Sequence, residues 1–159
     1  MNQPNRRDLL RSPVHFFAFG FGVGFAPRAP GTCGALVALP FVPLLHALGP
    51  FGYGVAVALA VVVGVRLCAR AADALEAHDH PAIVWDEMVG LWIALAFIPL
   101  SWSAAALGFA LFRLFDIAKP WPISLLDRRV GGGLGIMLDD IAAGVLANLA
   151  LRLLLPLLP

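Results

Sequence analysis

A chain of 159 residues that is 60% apolar and 13% charged, with a mean hydropathy of +0.87, carries about half the charge of an ordinary soluble domain, which is roughly a quarter charged. That composition excludes a typical water-soluble enzyme and predicts one small integral membrane domain over residues 1–159, an all-α helical bundle with short or kinked hairpins. A net charge of +1, with no Lys/Arg run interleaved with aromatics, excludes nucleic acid as a partner.

In chain order, Arg6, Arg7 and Arg11 precede HFFAFGFGVGF, a basic start followed by a glycine-broken apolar stretch without a cleavage site. It predicts a flexible arm over residues 1–15 and no removable signal peptide. In GFGVGFAPRAPGTCGAL the glycines allow close backbone approach. Its Pro-Gly-Thr turn either offers free amides to an anion at a helix start or packs small residues between membrane helices. Between Cys33 and Val65 nothing is charged. As one helix that run would be about 48 Å long, beyond the roughly 30 Å hydrocarbon core. Pro40, Pro43 and Gly49-Pro50 instead predict a hairpin with two short or tilted arms.

Arg66 to His80 is polar and helix-forming, and His78 and His80 read as solvated interfacial histidines rather than ligands. Met88 to Phe112 is again uncharged and broken at Pro99, which predicts a turn near one membrane face. The Pro-, Gly- and base-rich stretch from Asp116 to Gly135 predicts an extended loop. Ile141 to Pro159 is long enough for a last span if Arg152 snorkels or pairs. Cys33 and Cys68 form no metal or disulfide pattern and read as spectators. Basic residues gather beside the polar segments, so the positive-inside rule turns those segments, and the acids in them, toward the cytoplasm.

Those acids are the chief signal. Asp86, Glu87, Asp116, Asp139 and Asp140 all stand at the ends of apolar runs, where a carboxylate is costly without a cation or hydrogen-bond partner. A helix cap would use one acid of each adjacent pair and leave the other unexplained. They therefore read as a metal site, and hard oxygen donors suit Mg²⁺. Arg113 and Lys119 are the candidate phosphate-binding cations, whereas Asp127 beside Arg128 and Arg129 reads as surface pairing.

The blocks GFGVGFAPRAPGTCGALVALP, HDHPAIVWDEMVGLWIAL and FRLFDIAKPWPISLLDRRVGGGLGIMLDDIAAGVLAN resemble the three signature regions of the phosphatidylglycerophosphatase A family. The resemblance runs from about Gly20 to Asn148, with Cys33 standing where the family often has Ser or Trp. It implies a Mg²⁺-dependent phosphatase of the bacterial inner membrane that removes the terminal phosphate of phosphatidylglycerophosphate. Carried onto this chain, the matched polar positions are Thr32, Asp79, Asp86, Glu87, Arg113, Asp116, Lys119, Asp139 and Asp140. Among them we read Asp79, Asp86, Glu87, Asp139 and Asp140 as metal ligands and Thr32, Arg113 and Lys119 as substrate contacts. Asp116 and Asp139 join Arg113 and Lys119 as catalytic residues. Attack by water and an aspartyl-phosphate on Asp116 or Asp139 both remain open. A cation transporter or assembly subunit built on the same acids is the alternative function. A CDP-alcohol transferase lacks its D-x-x-D-G-x-x-A-R block here, and a histidine phosphatase its P-S-G-H segment.

Overall fold

The computed structural model describes residues 6–77, 79–121 and 123–157, with residues 6–8 and 126–128 described by their backbone alone. His78, Asp127 and Arg128 are thus outside what can be compared at side-chain level. All described secondary structure is helical. Two short helices, α1 (Arg6–Arg11) and α2 (Pro13–Ala18), stand where a flexible arm is expected, since Leu9 and Ala18 are buried in the core. A 3-10 stretch, Gly20–Phe25, turns the chain with left-handed φ at Phe21 and Gly22.

The expected proline-broken hairpin follows. Its first arm is α3 (Pro30–Ala38) and α4 (Phe41–Ala47), separated at Pro40; its second is α5 (Gly49–Ala74). The turn falls at Gly49, whose φ of 71° is the left-handed region where glycine is at ease. α5 has 26 residues, about 39 Å of helix, and runs on through Arg66 and Arg70 without a break. Pro30–Ala47, Gly49–Ala74 and Gly132–Leu157 are each long and apolar enough to cross a membrane. Phe51, Leu59, Leu149 and Leu153 point outward on two of them, as lipid-facing residues would.

The second hairpin pairs α6 (Trp85–Ala94) with α7 (Trp102–Ala118). Ser101 caps α7 by accepting the Ala104 amide at 3.1 Å, which satisfies a donor the helix itself cannot. With 10 residues, α6 is only about 15 Å long, half a membrane core. It is enclosed by α3, α5, α7 and α9 (Gly132–Leu154). Two indoles fasten it. Trp85 Nε1 donates to Ala60 O on α5 at 3.1 Å, and Trp92 Nε1 to Ala38 O on α3 at 3.0 Å.

Between Asp116 and Gly135 the chain is mostly helical rather than extended. α7 continues to Ala118, Lys119 closes it in a left-handed conformation, and α8 (Ile123–Arg129) follows. Burial of Ile123 gives α8 a foothold on α9. α9 then starts at Gly132, well before the apolar run. Its glycine entry lets it lie against α5, since a Cβ on Gly133 would collide with Val65 O and Ala69. Asp139 and Asp140 are therefore two turns inside a helix, which removes the cap explanation for them. Trp102 and Trp121, 94% and 79% exposed, stand at opposite ends of α7 as an aromatic pair marking two interfaces would.

Candidate active site

Three helices deliver the acids to one end of the bundle. The N-terminal turn of α6 carries Asp86 and Glu87, the C-terminal part of α7 carries Arg113 and Asp116, and α9 brings Asp139 and Asp140. Oxygens of Asp86, Glu87 and Asp140 all lie within 4.8 Å of one another. Asp86 Oδ1, Glu87 Oε2 and Asp140 Oδ1 are buried without a hydrogen-bond partner among the described residues. Buried polar atoms are almost always partnered. Three residues of one chemistry, each with an orphaned oxygen and grouped this closely, could hold a metal ion.

Around this group lie the cations. Arg113 pairs with Asp116 at 2.5 Å and reaches Glu87 Oε1 at 3.9 Å. Lys119 Nζ lies 2.6 Å from Asp139 Oδ2. The adjacent acids on α9 thus serve different partners: consecutive helical residues diverge by about 100°, so Asp140 joins Asp86 and Glu87 while Asp139 faces Lys119. Asp139 stands outside the three-acid group. Among the described residues these five carboxylates face two cations, so negative charge is in excess if every group ionises, a cost of several kcal/mol per ion in a dry site. Burial pushes Asp86 well above the ordinary carboxylate range, with the Glu87 charge adding to it. Glu87 is raised to about 7, chiefly by burial.

The Pro-Gly-Thr turn closes the site. Gly31, in the first turn of α3, sits so near that a Cβ there would strike Glu87 Oε1 and come 3.2 Å from Arg113 Nη1. The first-turn amides of α3, unsatisfied within the helix, therefore open beside the acids. Thr32 follows, half-buried. Gly31 is a residue that pattern reading singled out only as part of a loop; its close approach to Glu87 needs three dimensions. Asp79 is exposed in the α5–α6 connection, outside the three-acid group, although its charge bears on Asp116. His80 Nδ1 accepts the Ala82 amide at 3.1 Å and so shapes that connection. Cys33 is half-buried and Cys68 fully buried, both free.

The acids gather at one end of the bundle rather than along it, which gives the transporter or subunit alternative no support. No solved structure matches the chain. Phosphatidylglycerophosphatase A of Escherichia coli (strain K12) is 45% identical over 151 residues, covering 91% of this chain and 88% of that protein. The protein of the same name from Haemophilus influenzae is 44% identical, covering 92% of this chain and 91% of its own length. A Bacteroides thetaiotaomicron protein, provisionally named a phosphatidylinositol-3-phosphatase, is 42% identical over 79% of this chain and 83% of its own. The sequence profile described as phosphatidylglycerophosphatase A matches residues 16–155, nearly the whole chain, which belongs to that family.

Proposed function

We propose that the chain hydrolyses the terminal phosphomonoester of phosphatidylglycerophosphate, giving phosphatidylglycerol and phosphate, with Mg²⁺ bound by Asp86, Glu87 and Asp140. The observation that carries this reading is the trio of orphaned carboxylate oxygens beside two cations at a membrane-facing end. Mg²⁺ held there would polarise the phosphate and ease attack by water. Arg113 and Lys119 bind the phosphate oxygens, exchanging Asp116 and Asp139 for the substrate as partners. Asp116 or Asp139, released in this exchange, takes a proton from the attacking water as its oxygen bonds to phosphorus. The bond from phosphorus to the glycerol oxygen breaks, and that oxygen leaves as the alcohol after receiving the proton that the aspartate took from the water. Thr32 and the first-turn amides of α3 face a third side of the phosphate.

The site lies at the end of the bundle that carries Arg66, Arg70, Arg113 and Lys119. The positive-inside rule turns that end to the cytoplasm, which supports an inner-membrane enzyme acting on a lipid presented at the cytoplasmic leaflet. The test is phosphate release from phosphatidylglycerophosphate by detergent-purified protein in Mg²⁺ and in EDTA, beside Asp86→Asn and Asp140→Asn. Release that needs Mg²⁺ and falls at least a hundredfold in both variants supports the reading. Preferred cleavage of phosphatidylinositol 3-phosphate or phosphatidic acid, or release undiminished in EDTA, overturns it.

A further inference from the structure

The far end of α6 carries an arrangement that the reaction does not use. A helix that stops half-way through a membrane protein leaves its last carbonyls without partners and without water. Here one side chain reaches three carbonyls at and just past that end, of which Ile93 O also accepts the Ala96 amide at 3.1 Å. Asn148 Nδ2 donates toward Ile93 O at 3.2 Å, Ala94 O at 2.9 Å and Ala96 O at 2.9 Å. An amide has two hydrogens, so one of these bonds is shared. Arg152 fixes which way the amide points: its Nε donates to Asn148 Oδ1 at 2.8 Å, and its Nη2 adds a bond to Ala96 O at 3.2 Å. Tyr53 completes the set by donating to Trp92 O at 2.6 Å. Arg152 is thus paired with the protein in this apolar helix rather than left to snorkel alone.

Asn148 belongs to α9, the helix that carries Asp140. Asp86 and Ala94 on α6 are eight residues apart, as are Asp140 and Asn148 on α9, about 12 Å in each case. The two helices run in the same direction, with acids at one end and the amide clamp at the other. Midway their backbones touch: a Cβ on Gly144 would collide with Gly90 O and lie 3.1 Å from Ile93 Cβ. Glycine contacts of this kind let helices approach closely but leave sliding along the axis weakly opposed. The amide clamp opposes it, because a slip of one residue, about 1.5 Å, takes its carbonyls out of reach.

We propose that Asn148 is a positioning residue: by pinning the C-terminal end of α6 to α9, its amide sets the register at which Asp86 and Glu87 meet Asp140. This rests on the metal-site reading above, and the decisive readout is Mn²⁺ binding to the full chain in detergent, followed by the spin-resonance signal of the free ion. Asn148→Leu, close in size and without donors, is expected to weaken Mn²⁺ at least tenfold. It is also expected to lower kcat on phosphatidylglycerophosphate at least tenfold, with KM changed less than twofold. Asn148→Gln, which restores an amide, is expected to recover Mn²⁺ affinity to within threefold. An Asn148→Leu protein that melts earlier but binds Mn²⁺ within twofold of the parent would show a purely structural cap and overturn the proposal. If that variant does not fold, Arg152→Met decides, because it keeps the Asn148 amide and removes the bond that orients it, together with the Nη2 bond to Ala96 O. About threefold weaker Mn²⁺ is expected, and unchanged binding overturns the proposal. Since the binding arm needs no substrate, absence of phosphate release from the parent protein would refute the proposed activity while the Mn²⁺ comparison still judged the register.

Discussion

Gly31→Ala tests the site with a single methyl group. Gly31 has ordinary helical φ, so alanine is locally acceptable and even a better helix former. What it meets is Glu87 Oε1, with Arg113 Nη1 at 3.2 Å. To restore ordinary contact, the Glu87 carboxylate must retreat by on the order of 1 Å, and a displacement of that size in a reacting array costs about a hundredfold in rate. Overpacking of this kind costs about 1–3 kcal/mol of stability, partly offset by roughly 1 kcal/mol of helix propensity. The chain should therefore stay folded. Gly108→Ala is the matched control: its Cβ would press on Leu95 Cδ2 at 2.5 Å and Leu151 Cδ2 at 3.0 Å, the free ends of side chains that touch none of the acids. Phosphate release and thermal melts on both variants are the assay. Gly31→Ala should lose about two orders of magnitude in kcat and Gly108→Ala less than fivefold, at similar melting temperatures. Parental turnover in Gly31→Ala, or an equal loss in Gly108→Ala, would refute the placement of α3 against Glu87.

Lys119 should separate charge from backbone. It has φ 41° and pairs with Asp139, so Lys119→Met removes the amine and keeps the left-handed strain, while Lys119→Gly removes both; activity should fall alike, with Lys119→Gly melting higher. Metal and pH should be linked through Glu87. Burial raises its carboxyl from the ordinary glutamate range to about 7, so the folded protein holds the extra proton, and stability in EDTA should fall as pH rises from about 5 to about 7.5. Because a cation takes the proton's place, the rise in melting temperature caused by Mg²⁺ should be larger at pH 8 than at pH 5; an equal rise at both would count against Glu87 as a ligand. Trapping a labelled acyl-phosphate on Asp116 or Asp139 after a quenched turnover would sink direct attack by water, which predicts none.

Much of this was legible in residue order because membrane chains expose their logic in composition. Proline at position 40 and the Gly49-Pro50 pair interrupt an uncharged run too long for one span, and the structure breaks and turns there. Pro99 likewise falls in the turn of the second hairpin. Periodicity could not show that α8 forms, because Ile123 is held by α9, a contact distant from its own turn-rich sequence. The start of α9 was hidden by three glycines that read as loop and instead admit the helix to the surface of α5. Within the arm expected over residues 1–15, the basic residues mask Leu9, which is buried.

The site was legible as a set and not as a geometry. Paired acids at run ends announce a cation, yet the sequence alone counts both Asp139 and Asp140 among its ligands. Adjacent residues on a helix diverge by about 100°; Asp86 and Glu87 still converge on one group, but on α9 one carboxylate enters the three-acid group while its neighbour holds the lysine. The same divergence explains why two acids can stand side by side within a buried helix without destabilising it. Asp139 has Lys119 as its counter-charge, and under the proposed function a cation would serve Asp140. Neutralising the two should therefore give different phenotypes. Asp140→Asn removes a donor and should weaken Mn²⁺ binding by at least tenfold. Asp139→Asn leaves the three-acid group intact and should bind Mn²⁺ within threefold of the parent, while its turnover falls because Lys119 has lost the partner that orients it. Equal loss of Mn²⁺ in both would mean that both acids face the cation, and that the division of labour read from the Lys119 contact is wrong.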